Sequence, residues 1–178
     1  MILGQQLLNK PVLSLRTGAP VASVTAIIVN PNNLKIEGWH ATDINRKTDG
    51  ILLAQDIRDI MPQGFAVNDH DAISNPSDLI RLKPILDINF ELIGKPVYTE
   101  DKKRLGKVTD YAFEKTGFFI QKIYVEQSIV KSFSGGSLIV DRSQIVEITH
   151  KRITVKEANE RGTVTVSNQA VVQDAAPA

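Results

Sequence analysis

Three histidines, His40, His70 and His150, are the only imidazoles in this 178-residue chain. No two of them are four residues apart, and none shows the spacing of a zinc-ligand pair. His70 has the most chemical company. It sits in Asn68-Asp69-His70-Asp71, a run of oxygen donors suited to a loosely held divalent cation. A polar turn between a strand and a helix has the same composition. That second reading is adopted, and no metal ligand is assigned. The serines form no Gly-x-Ser-x-Gly elbow. Ser134-Gly135-Gly136-Ser137 is glycine-rich, but a phosphate-cradling loop leads into a helix and carries a Lys-Ser/Thr pair. Here strand-forming residues follow, so a hairpin loop is expected. Cysteine is absent, which removes thiolate catalysis, Cys-ligated metals and disulfides. An acid–base pair would have to be gathered from separate loops, which sequence does not display. The expectation is therefore a non-enzyme, with no catalytic, cofactor-binding or metal residues and no cofactor.

Lys102, Lys103, Arg104 and Lys107 make the one basic cluster, diluted by Glu100 and Asp101. As phosphate contacts they would give salt-dependent binding to RNA, and as a surface they would meet a protein partner. As a solvated turn they need no function, and this reading is preferred. Phe118, Phe119 and Tyr124 are near in sequence, but strand aromatics pack in cores more often than they stack on bases. The net charge is +1, from 21 Lys+Arg against 20 Asp+Glu, which argues against a dedicated nucleic-acid binder and leaves room for a local patch.

The elements that must position these residues come in two copies. Residues 105–125 read as a β-hairpin, and residues 21–41 repeat it 84 positions earlier without a gap. Val108 falls on Val24, Phe113 on Val29, Phe118 on Leu34, Ile120 on Ile36, and Ile123 on Trp39. Trp39 is thereby expected in a core rather than at a partner surface. The second strand of each hairpin switches its apolar face between Ile120 and Ile123, so a bulge is expected beside Gly38 and Lys122. Lys10-Pro11-Val12 recurs as Lys95-Pro96-Val97. Ile51-Leu52-Leu53 is laid on Leu138-Ile139-Val140, Ile57-Arg58-Asp59-Ile60 on Ile145-Val146-Glu147-Ile148, and Gly64-Phe65-Ala66-Val67 on Arg152-Ile153-Thr154-Val155. The insertions fall in turns, as in a duplicated fold.

Between the copies, Ser74-Asn75-Pro76-Ser77-Asp78 signals a helix start, with Ser74 or Asn75 as cap. Leu79, Leu82, Ile85 and Leu86 give it an apolar face, and Pro84 should limit or kink it. The domains expected are a first module over 1–68, a linker with a short helix over 69–90, a second module over 91–160, and a flexible tail over 161–178. Thr163-Val164-Thr165-Val166 in that tail suits an added strand. Residues 1–8 are a strand or a lead-in. MILGQQLLNKP has no basic segment and no long apolar core, so no signal peptide is expected. No run approaches the roughly 18 apolar residues of a transmembrane helix.

The repeated order is a Lys-Pro-Val strand, a turn, Leu105-Gly106-Lys107-Val108-Thr109-Asp110, a hairpin, and the closing pair that ends in Ile145-Val146-Glu147-Ile148. It resembles the PRC-barrel family, which includes the cytoplasmic domain of the photosynthetic reaction-centre H subunit and the C-terminal domain of the ribosome maturation factor RimM. The resemblance covers about 9–67 and 91–156. It is weaker in the first copy, where Ala22-Ser23 stands for Gly-Lys and Ala26 for the Asp. It implies an all-β protein of two tandem small β-barrels that act as interaction modules, with no family catalytic residue to carry over.

The expected function is a non-catalytic protein-interaction or scaffold module in the cytoplasm. A protein partner is expected and a small-molecule ligand is not. Any membrane association would be peripheral, through a partner. The alternative is an RNA- or ribosome-associated maturation factor resembling RimM, with Lys102, Lys103, Arg104 and Lys107 as contacts.

Overall fold

A computed structural model describes residues 1–127 and 137–156. The loop at 134–136 and the strand and tail expected within 161–178 lie outside the described residues. In chain order the strands are β1 (Ile2–Leu3), β2 (Pro11–Ser14), β3 (Pro20–Asn30), β4 (Lys35–Asp43), β5 (Asp49–Leu53), β6 (Ile57–Met61), β7 (Gly64–Val67) and β8 (Ile73–Ser74). After the helix α1 (Lys83–Ile88) come β9 (Pro96–Thr99), β10 (Arg104–Phe113), β11 (Ile120–Glu126), β12 (Ser137–Asp141), β13 (Ile145–Ile148) and β14 (Ile153–Val155). They form two seven-stranded sheets, so the chain is mainly β as its patterning predicts.

The sheets have one plan. The first runs β6-β7-β2-β3-β4-β5-β8, and the second β13-β14-β9-β10-β11-β12, with β1 added on β10. In each, one parallel pair (β2 with β7, β9 with β14) interrupts an antiparallel ladder. Each first hairpin strand has a bulge at its threonine, Thr25 or Thr109. Each second strand has one at the residue before Gly38 or Lys122, where the switch of apolar face requires it. Left-handed backbone recurs at matched positions: Asn9 with Gly94, Gly18 with Lys102, and Leu34 with Phe118. Even the buried hydroxyls match. Ser14 and Thr99 each accept a hydrogen bond from the turn that follows, from Thr17 N–H and Lys103 N–H.

Four expectations differ from what is observed. Among the described residues, the ladders do not close into barrels by strand pairing. The chain crosses from one sheet edge toward the other through the 3-10 turns Ala54–Asp56 and Arg142–Gln144, which pack on β4 and β11. The domain limits also shift, because β1 joins the second module's sheet and β8, assigned to the linker, joins the first. The match of β5 to β12 moves by one residue. Trp39 lies opposite Leu52 and Ile123 opposite Val140, so Leu52 corresponds to Val140. A register shift of one exchanges the faces of a strand, and apolar runs alone do not resolve it. Finally, Pro84 falls in the first turn of α1 and so begins the helix rather than kinking it, as its missing N–H allows. Before it, Asn75 caps a separate 3-10 turn, Pro76–Asp78. Leu79, Leu82, Ile85 and Leu86 pack on Ile28 and Ile51, covering the outer face of the first sheet.

The two modules share one core. Their hairpin tips pair: Ile36 N–H donates to the Phe118 carbonyl at 2.8 Å, and Ile120 N–H donates to the Leu34 carbonyl at 3.0 Å. Since 36 corresponds to 120 and 34 to 118, the contact is two-fold symmetric, like an isologous dimer interface. Trp39, fully buried, meets Phe65 of its own module at 5.0 Å between ring centroids. Across the junction it meets Phe113 at 6.2 Å and Phe118 at 5.9 Å. Arg142 adds a hydrogen bond to the Asn33 carbonyl at 2.8 Å and lies over the Phe119 ring. Urea denaturation followed by circular dichroism should therefore show one cooperative transition for both modules. Trp39→Ala should cost about 3–5 kcal/mol by emptying the junction. Trp39→Phe should cost less, because the indole N–H is buried without a partner and its removal is favourable. Two separate transitions would contradict the shared core.

Candidate functional site

The basic cluster occupies the turn from β9 to β10. Lys102 holds the left-handed position, with φ 63°, and Lys103 N–H donates to the Thr99 hydroxyl. Arg104 lies opposite Tyr98, and Lys107 stands between Pro96 and Glu126. All four side chains are exposed, and none forms an ion pair among the described residues. The sheet thus places them together on one surface. The nearby aromatics are turned to packing: Phe118 joins the junction with Trp39, and Phe119 lies under Arg142.

The run Asn68-Asp69-His70-Asp71 is pulled apart by its partners. Asp69 pairs with Arg16 and accepts from the Ser14 hydroxyl at 3.4 Å. His70 Nε2 meets the Asp43 carboxylate at 2.6 Å, while Asp71 is exposed. Among the described residues no three His, Asp or Glu side chains gather as a metal site. The arrangement is a turn clamp. Asp43, only 4% exposed, also accepts from Asn45 N–H at 2.8 Å and Arg46 N–H at 2.9 Å. Sequence reasoning passed over Asp43. Its signal was an Asx turn, an Asp followed by Ile44-Asn45-Arg46-Lys47 at the end of a strand. The second module has Gln127 at the matching position, so no carboxylate stands there.

The Arg46 N–H above all, with the His70 ring, holds the Asp43 carboxyl below its ordinary value against the opposing effect of burial. Folding therefore favours the ionised carboxylate. This stabilisation is complete above the unfolded carboxyl value, about 3.9, and is lost as the pH falls through the lower folded value. The urea midpoint should decline below about pH 4 in the native chain, and the decline should be shallower in Asp43→Asn. At pH 7, Asp43→Ala should cost roughly 1–2 kcal/mol by removing the charged acceptor of the Asn45 and Arg46 N–H groups and of the His70 ring. Equal pH profiles for the two proteins would show that Asp43 is not the group responsible.

The third feature is a groove of about 430 Å³ between β3, the α1 segment and the start of the second module. Ile28, Leu86, Phe90, Leu92 and Ile93 give it apolar walls, and His40 and Glu91 supply polar groups. Partial burial holds the His40 imidazole below its ordinary value, opposed by the Asp49 carboxylate. Tyr111 also lines the groove. It is 1% exposed, and its hydroxyl has no hydrogen-bond partner. Burial, and next Asp110, raise its pKa, so the hydroxyl stays protonated. No patterning in the sequence marked this groove, because its walls come from segments far apart in the chain.

The second sheet, its bulged hairpin and its lead-in at Phe90 to Ile93 are the part of the chain that a family model matches. Residues 89–161 match the PRC-barrel domain. No curated protein matches the chain. The matched segment carries the turn of Lys102, Lys103 and Arg104, and β10 with Tyr111. The first module, with Asp43 and His70, lies outside the matched residues. No helix among the described residues is long and apolar enough to cross a membrane.

Proposed function

We propose that the chain is a non-catalytic protein-interaction scaffold of the cytoplasm, built from two PRC-barrel modules of which the first is a diverged copy. The observation that carries this reading is the pairing of the two hairpin tips over a shared core. It joins both modules into one body and leaves an apolar groove beside their junction. A groove of this kind between packed units is a common recognition surface. The match to the PRC-barrel domain supports a small β-module, and interaction is then argued from the surfaces. The titratable groups support the same reading. The most enclosed carboxylate, Asp43, is used up in holding a turn.

The exposed turn of Lys102, Lys103 and Arg104 favours a second reading, an RNA- or ribosome-associated factor similar to RimM. Affinity capture from native lysate, with and without ribonuclease, separates the two. The scaffold reading expects a discrete protein partner that survives nuclease, and expects Lys102→Glu, Lys103→Glu and Arg104→Glu together to leave its capture unchanged. Ribosomal proteins recovered only without nuclease, and lost in the triple variant, would establish the RNA reading instead.

A further inference from the structure

β3 and β10 are matched strands whose outer edges are treated differently. Past its pairing with β9, β10 is covered by β1. Ile2 lies opposite Phe113, Leu3 opposite Ala112, and Gly4 N–H donates to the Tyr111 carbonyl at 2.8 Å. The Asp110 carboxylate ties this lead-in down by accepting from Gln5 N–H at 3.0 Å. Gly4 crosses directly on the Tyr111 ring, where a Cβ would come within 1.9 Å of Cζ.

Position 26, the counterpart of Asp110, is alanine and offers no such acceptor. The lead-in of the second module takes another course, leaving α1 through Asn89 in left-handed backbone, with φ 47°. The Val24 carbonyl accepts from Asn9 N–H at 2.8 Å, but beyond it β3 has no strand partner on this edge among the described residues. Instead Thr25, Ala26, Ile27, Ile28 and Val29 line the groove.

We propose that this groove binds a short, extended, apolar segment of a partner protein, added as a strand to the open edge of β3 as β1 is added to β10. The inference rests on the scaffold reading above and names the chemistry of its partner. Ile2-Leu3-Gly4 shows what fits the matched edge: two apolar residues and a backbone free to approach. Added strands gain affinity from main-chain hydrogen bonds and selectivity from alternating side chains. Here one set of side chains would face Ile85 and Leu86, and the other Leu8, Leu92 and Ile93. A volume of about 430 Å³ admits only a few residues, so the motif is short.

The test uses the full chain and a fluorescein-labelled peptide with the sequence of residues 1–8, MILGQQLL, read by anisotropy. Saturable binding is expected. It should weaken at least tenfold when the peptide's glycine is N-methylated, which removes a ladder N–H. It should also weaken at least tenfold in Ala26→Trp, which fills the groove from an exposed position. Binding unchanged in Ala26→Trp would mean that the peptide displaces β1 from β10, and would overturn the assignment. So would the absence of saturable binding, or a self-association that Ala26→Trp abolishes, which would make the occupant a second copy of the chain. A lysate partner still captured by Ala26→Trp would remove the groove from the scaffold reading while leaving that reading intact.

Discussion

Two main-chain hydrogen bonds between hairpin tips, one from Ile36 to Phe118 and one from Ile120 to Leu34, set the arrangement of this molecule. The carbonyls that accept them belong to Leu34 and Phe118, which close their own hairpin turns in left-handed backbone, with φ 55° and 59°. For residues with a side chain, that conformation costs about 1–2 kcal/mol each. Glycine would avoid the cost but would leave the junction without filling. Leu34 is buried and Phe118 packs against Trp39, so apolar packing offsets the strain of the turn. Because the tips pair symmetrically, the indole of one hairpin fills the space over the phenyl rings of the other, and the two sheets share a core.

Around this junction the copies diverge in ways that follow from single residues. Asp110 receives the N-terminal lead-in and lets β1 extend the second sheet, whereas Ala26 cannot do the same for the first. The outer face of the first sheet carries Ile28 and Ile51, both buried under the linker at Leu82. The corresponding positions in the second sheet are Ala112 and Ile139, and Ile139 is 37% exposed. A helix has an apolar stripe to cover on one module and much less on the other. Asp43 and His70 similarly secure a turn of the first module, and the matched position in the second is Gln127.

Much of this was legible in the chain because β-strands write their pairing as alternation. The repeat, the bulge beside Gly38 and Lys122, and the burial of Trp39 all followed from which positions were apolar. The register of β5 against β12 did not, because Ile51-Leu52-Leu53 is apolar throughout and fits either way. The start of α1 was read early because Asn75-Pro76 is a good cap wherever it stands. Here it caps only a 3-10 turn, and the α-helix waits for Pro84. The groove left no local signature, since its walls are separated by tens of residues. The four basic residues were legible as a cluster, and the fold exposes all four, at the turn into β10 and along its first residues.

The symmetric tips carry a lesson about valency. A surface that matches itself would join two separate copies of a single module, in a manner dependent on their concentration. Written twice in one chain, the same surface meets its counterpart at the high effective concentration of a tether, and association no longer depends on how much protein is present. Identical subunits must change together, since one sequence serves both. Covalent linkage lifts that restriction, so one half can keep its edge sealed while the other leaves its edge open.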